Sequence, residues 1–258
     1  MQRLMHDTRG NYGQVRGPGE SGAIQYDCVP MFGRSRFFQG VAPELLRQLA
    51  ADGTRRRVAR DTELFRQDDP SSTLLMILEG NVKLIYLTPE GGQVVLGLQL
   101  PGDLVGCAAV FRKRPYPATA VAASDTLVIS WHASYIFDAI AGIPQLSSNA
   151  LAIVSDRADE FMSRMREMAQ EPVDRRLARN LIRIVEKQAA VAPGEAEARD
   201  ISMSRRDLAD LCGTTLFTVS RILQVWERAG IVQCGRRRVG VLNPDRLRGV
   251  AAGAGIVR

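Results

Sequence analysis

The sequence predicts an α+β chain: an N-terminal antiparallel β-roll, a long central helix and a C-terminal winged helix-turn-helix. Three observations predict it. Short β-type runs broken by Gly and Pro fill residues 55–131. A long stretch with apolar residues spaced alternately three and four apart follows. The last third then places two short amphipathic helices around a glycine and ends on two strand-like runs.

Residues 1–30 are rich in Gly and polar residues without a sustained period, and are expected to form a flexible tail. No apolar stretch there resembles a signal peptide, and no run of about 18 apolar residues occurs anywhere. A cytoplasmic protein with no membrane span is expected. A short helix is expected over Pro43–Ala51, with Leu45, Leu46 and Leu49 on one side. The roll, residues 31–143, contains the runs Leu74–Leu78, Val82–Leu87, Val94–Leu100 and Thr126–Ile129. Turn chemistry separates them at Asp69-Pro70, Glu79-Gly80, Pro89-Glu90-Gly91-Gly92 and Pro101-Gly102-Asp103. Closely spaced short strands with such breaks argue for a sandwich, barrel or roll.

The central helix is expected over Pro144–Ala169, within a segment 144–171. Leu151, Val154, Ala158, Phe161, Met165 and Met168 follow one another at intervals of 3, 4, 3, 4 and 3. That is the narrow seam of a two-helix coiled coil, and its flanks carry Arg157, Glu160, Arg164 and Arg166. A homodimer is therefore expected, the alternative being a helix packed on its own roll. Glu171-Pro172 interrupts the helix, and proline suits the first turn of a new one, over Val173–Ala190. The final domain is taken as 172–258.

In that domain Ser204-Arg205-Arg206-Asp207 has the spacing of a capping box, starting a helix with Leu208, Leu211 and Cys212 inward. Gly213 supplies the tight turn, and Thr214 or Thr215 caps a second helix. There Val219, Ile222, Leu223 and Trp226 form a buried face at i, i+3, i+4 and i+7, leaving Phe217, Ser220, Arg221 and Gln224 outside. A helix-turn-helix presents the start of its second helix to base edges in the major groove. Ile231–Cys234 and Arg237–Leu242 read as a wing turning at Gly235-Arg236, with Arg236, Arg237 and Arg238 near phosphates. Charge agrees: from Pro172 onward there are 16 Lys and Arg against 9 Asp and Glu, but 18 against 19 before it. All of the excess positive charge thus lies where a polyanion would bind.

The stretch SRRDLADLCGTTLFTVSRILQVWERAGIV resembles the helix-turn-helix signature of the Crp/Fnr family of bacterial regulators. LFRQDDPSSTLLMILEGNVKLIY followed by LPGDLVG is similar to that family's cyclic-nucleotide-binding-like β-roll. The resemblance covers about residues 40–245 and implies a homodimeric transcription regulator on a palindromic operator, with RNA polymerase as a further partner. Carried over by position, Arg205 and Thr218 match phosphate contacts. Thr215, Leu216, Phe217, Ser220 and Arg221 match the exposed start of the recognition helix. With Arg206, Thr214, Gln224 and the wing arginines these form the expected DNA-binding surface. Arg221 is the best base reader, because arginine donates bidentately to guanine O6 and N7. Phe217 departs from the glutamate common at its position and Leu216 from a polar residue. Phe217 offers only apolar contact, for example to a thymine methyl, so a different operator preference is expected.

In the cAMP-binding members of this family, a glutamate holds the ribose and an Arg-Ser pair the cyclic phosphate. Here Gly106 matches the family glycine, Cys107 stands where the glutamate would be, and Pro117-Ala118 replaces Arg-Ser. Neither change leaves a cation for a buried phosphate. Phe161 and Met162 occupy the helix positions that contact the base. An effector pocket is still assigned to Gly106, Cys107, Pro117, Ala118, Phe161 and Met162, but cAMP is not expected as the activator. No cofactor or metal is predicted, since Cys28, Cys107, Cys212 and Cys234 are scattered. An effector-gated regulator sensing haem-bound gas, redox state or another small molecule is the alternative; His6, Cys28, Cys107 and His132 are its available axial ligands. Enzymatic function is disfavoured: there is no Ser/His/Asp set, no metal-ligand spacing and no phosphate loop. A regulatory subunit of a channel or enzyme would share the roll, but the last third is neither membrane-spanning nor catalytic.

Overall fold

The computed structural model describes residues 26–191 and 200–253. The tail expected over residues 1–30 therefore lies mostly outside the described residues, and where it is described it differs. Cys28 is buried and helix α1 (Val29–Arg34) begins beside it. The cause is aromatic: Phe32 and, from the 3-10 turn Arg36–Phe38, Phe38 pack against Trp131 and stack on each other at 4.4 Å, while Phe37 meets Phe38 edge-on. Helix α2 (Pro43–Asp52) then buries Leu46 and Leu49.

Eight strands build the roll. They are β1 (Thr54–Val58), β2 (Glu63–Phe65), β3 (Thr73–Glu79), β4 (Val82–Leu87), β5 (Gln93–Gln99), β6 (Leu104–Val105), β7 (Thr119–Ala122) and β8 (Thr126–His132). Helix α3 (Cys107–Arg112) interrupts them and α4 (Ala133–Gly142) follows them. The strands pair antiparallel in two sheets, ordered β1-β8-β3-β6 and β2-β7-β4-β5. Val58, Leu75, Ile77, Val82, Ala120 and Val128 fill the space between. Alternating inward side chains of two facing sheets make such a core.

The long helix is α5 (Pro144–Gln170), and after Glu171-Pro172 comes α6 (Val173–Val191). The final domain adds β9 (Asp200–Ile201), α7 (Arg205–Leu211), α8 (Leu216–Arg228), β10 (Val232–Gly235), β11 (Arg238–Val241) and α9 (Pro244–Ala252). Its core gathers Leu177, Leu181, Leu208, Val219, Leu223, Trp226 and Leu247, and is continuous with Val95, Leu98 and Leu100 at the end of the roll. The final domain therefore sits against β5. Lys83 Nζ of β4 also lies 2.9 Å from Asp207 Oδ1 of α7, both side chains being almost buried.

Candidate nucleic-acid interface

The two helices of the motif are fixed by local chemistry. Ser204 Oγ accepts from the Asp207 N–H at 3.0 Å, and Asp207 Oδ2 accepts from the Ser204 N–H at 3.0 Å. These reciprocal bonds satisfy two donors at the start of α7. Burial alone would raise the Asp207 pKa, but hydrogen bonds from Lys83 and Ser204 outweigh it and hold the carboxyl below its ordinary range. Gly213 makes the turn at φ +59°, where a side chain would be strained, and a Cβ there would meet Met168 of α5 at 2.9 Å. Thr215, rather than Thr214, caps α8: its Oγ1 accepts from the Thr218 N–H at 3.2 Å. Val219, Leu223 and Trp226 are buried, which locks the rotation of α8 about its axis.

That rotation leaves Leu216, Phe217, Arg221 and Gln224 exposed, with Thr218 and Ser220 half-buried on the same side. Phe217 is 77% exposed. Among the described residues no carboxylate lies within ion-pair distance of Arg221 or Arg236. The exposed start of α8 also carries the positive end of its helix dipole. On α7, Arg206 is exposed and pairs with Asp210 at 3.3 Å, whereas Arg205 is half-buried, and its charge opposes the rise that burial gives the Cys234 thiol of β10.

The wing departs from expectation in two ways. It turns at Arg236-Arg237, since Gly235 pairs with Arg238, and Arg237 takes φ +58°. Its three arginines are also not equivalent. Arg237 donates to both oxygens of Asp61 in the β1–β2 turn, at 2.6 and 3.1 Å, and Arg238 lies 3.4 Å from Asp200. The docking of the final domain against the roll brings Asp61 to the wing, a long-range contact that the local sequence does not reveal.

The expected effector residues are only partly brought together. Gly106, Cys107, Pro117 and Ala118 line one cavity of about 160 Å³ with Phe65, Leu84 and Tyr116. The rings of Phe65 and Tyr116 stack at 3.8 Å on its wall, and a Cβ at Gly106 would reach Tyr116 at 2.9 Å. Arg157 is its one charged lining group, and that guanidinium already donates to Gln99 and faces Glu160. Burial pushes the Cys107 thiol up, away from the reactive thiolate. Phe161 and Met162, expected in this pocket, are absent from its wall: both are largely exposed, and Phe161 lines instead the neighbouring cavity between α5 and β5. Of the possible axial ligands, His6 lies outside the described residues and Cys28 accepts a hydrogen bond from Arg55. His132 caps α4.

The comparisons with known proteins agree with this arrangement. Residues 55–142 match the model of the cyclic nucleotide-binding domain, and residues 175–250 match that of the Crp-like helix-turn-helix domain. The transcriptional activator protein anr of Pseudomonas aeruginosa is 25% identical over 190 residues, spanning 74% of this chain and 77% of that protein. The nitrogen fixation regulation protein FixK of Bradyrhizobium diazoefficiens is 27% identical over 207 residues, or 80% of this chain and 86% of that one. The structure of FixK2 from Bradyrhizobium japonicum superposes with a TM-score of 0.67 at 26% identity, covering 79% of this chain and 99% of that chain.

Proposed function

Because this chain belongs to the Crp/Fnr family of DNA-binding transcription regulators, we propose that it acts as a homodimer on a two-fold symmetric operator and does so without cAMP. The observation that carries the reading is the open face of α8, where Arg221 stands on a capped, rotationally fixed helix with no carboxylate among the described residues to satisfy it. A guanine edge would supply that partner. Arg205, Arg206, Thr214, Thr218 and Arg236 surround it and would hold phosphates, which position the helix without reading sequence.

The dimer reading rests on the outer face of α5. Leu151, Phe161, Met165 and Met168 are all exposed there, and Val154 is half-buried. Beside them Val94 and Leu96 of β5 are exposed as well, and a cavity of about 460 Å³ runs between the two. A partner helix laid along this strip would cover it. In this reading the chain works in the cytoplasm and regulates through contacts with RNA polymerase.

Selection from a random DNA pool with the untreated protein tests the proposal. A two-fold symmetric site is expected, and Arg221→Ala is expected to lose it. Equal recovery of the same site by the variant would refute the assignment of α8. Calorimetry with cAMP is expected to give no binding heat at micromolar to millimolar nucleotide; a micromolar isotherm would overturn the second half of the proposal.

A further inference from the structure

We propose that Phe217 and Leu216 make this regulator a reader of the pyrimidine 5-methyl group, so that it accepts thymine or 5-methylcytosine beside the guanine held by Arg221. The inference rests on the reading of α8 as the recognition helix. Phe217 is the most exposed of the large apolar side chains described, in a domain whose other aromatic on α8, Trp226, is wholly buried. Leaving a phenyl ring in water forgoes the stabilisation that burial gives, so a surface that covers it is favoured in the bound state. Leu216 adjoins it and is also exposed. Together they form an apolar tip at the start of α8, beside the polar Thr215, Ser220, Arg221 and Gln224; the exposed Val225 lies about two turns further along.

The major groove offers one apolar group to such a tip, the methyl on C5 of thymine. A methylated cytosine carries the same group at the same carbon. The two bases differ at position 4, an acceptor in thymine and an amino donor in cytosine. A glutamate at residue 217 would sense that difference, whereas phenyl and isobutyl groups have no hydrogen-bonding atom with which to do so. Phe217 and Arg221 lie four residues apart, a rise of about 6 Å along the helix. Base steps are about 3.4 Å, so the methyl belongs one or two steps from the guanine. The tip therefore reads the methyl and is indifferent to the pyrimidine that carries it.

The test uses duplexes built on the selected operator, with binding followed by fluorescence anisotropy. Two substitutions isolate the methyl: thymine to uracil opposite adenine, and 5-methylcytosine to cytosine opposite guanine. Each is expected to weaken binding by about fourfold per half-site, or about fifteenfold over both, the factor for one buried methyl-sized group. Phe217→Ala is expected to reduce both effects below about twofold while still preferring operator over scrambled DNA. Phe217→Glu is expected to favour unmethylated cytosine. Equal affinity of the wild-type protein within both pairs would overturn the inference. Arg221→Ala binding the operator as tightly as wild type would instead overturn the recognition-helix reading beneath it.

Discussion

Two consecutive helices treat their apolar residues in opposite ways. Helix α6 is ordinary: Leu177, Ala178, Leu181, Ile184 and Val185 are buried in the core of the final domain. Helix α5 buries Leu146 and Ala150 at its start, but from Arg157 onward it is turned inside out. Its exposed face carries Leu151 (72% exposed), Phe161, Met162, Met165 and Met168, while Arg157, Glu160, Arg164 and Glu167 face the protein. There Arg164 donates to Glu160 at 2.7 Å and to the Leu96 carbonyl, and Arg183 of α6 pairs with Glu167. A helix that served only its own domain would have the reverse pattern. The difference separates two jobs: α6 completes a domain, whereas the second half of α5 leaves its apolar side open, as the proposed partner helix requires, and holds to β5 and α6 through charge.

The largest effect should come from reversing the polarity of the outer face. Phe161→Glu with Met165→Glu is expected to convert a dimer to a monomer in sedimentation and to weaken operator binding at least a hundredfold. Far-ultraviolet circular dichroism should be unchanged, since neither side chain is buried within the protomer. Leu181→Ala in α6 should behave oppositely: it should cost about 2–5 kcal/mol of stability in urea titrations, as cavity-forming core substitutions do. If the α5 double variant unfolds the protomer instead, the helix is an internal core element and the contrast between the two helices fails.

Much of this contrast was legible in the residues. The 3-4 spacing from Leu151 to Met168 and the interruption at Glu171-Pro172 locate both helices. The capping box, Gly213 and the buried triad Val219, Leu223, Trp226 likewise place the candidate interface. What could not be read is what lies across space. Arg157, Glu160 and Arg164 look like solvated flanks of a seam, because spacing gives a helix's faces but not which neighbour each one meets. The pairing of Arg237 with Asp61 joins residues 176 positions apart. Helix α9 carries Leu247 and Val250 into the core, yet its pattern is only two turns long. The docking of Cys28 and Phe32 was hidden by the polar composition around them.

The charged inner face gives a smaller effect with a defined pH dependence. Burial alone would raise the Glu160 pKa, but Arg164, Lys187, Arg157 and Arg183 overcome it and draw the carboxyl below its ordinary value. A depressed folded-state pKa contributes stability above the unfolded value, about 4.3, and that contribution is lost as pH falls through the folded value. Glu160→Gln is therefore expected to cost about 1–2 kcal/mol at pH 7, the penalty of a broken buried pair discounted for partial exposure. The gap from wild type should close as pH falls below 4 in urea titrations. A gap of the same size at pH 3 and pH 7 would mean that the loss is one of packing, and that the inner face is not held by charge.

The smallest effect concerns where the two domains touch outside the helices. Arg237 and Asp61 are each about half exposed, and such pairs contribute about 0–1 kcal/mol. Asp61→Asn should therefore leave stability nearly unchanged, in contrast to the cores flanking α5 and α6. Its consequence should appear in DNA binding, because Asp61 competes with phosphate for a guanidinium at the wing tip. Once released, Arg237 can neutralise one phosphate per protomer, which steepens the slope of log affinity against log salt by about one unit for each. Affinity at low salt should rise a few-fold and the gain should vanish at high salt. An unchanged slope would show that Arg237 stays turned toward the roll when DNA is bound, leaving Arg236 as the wing's contact with the backbone.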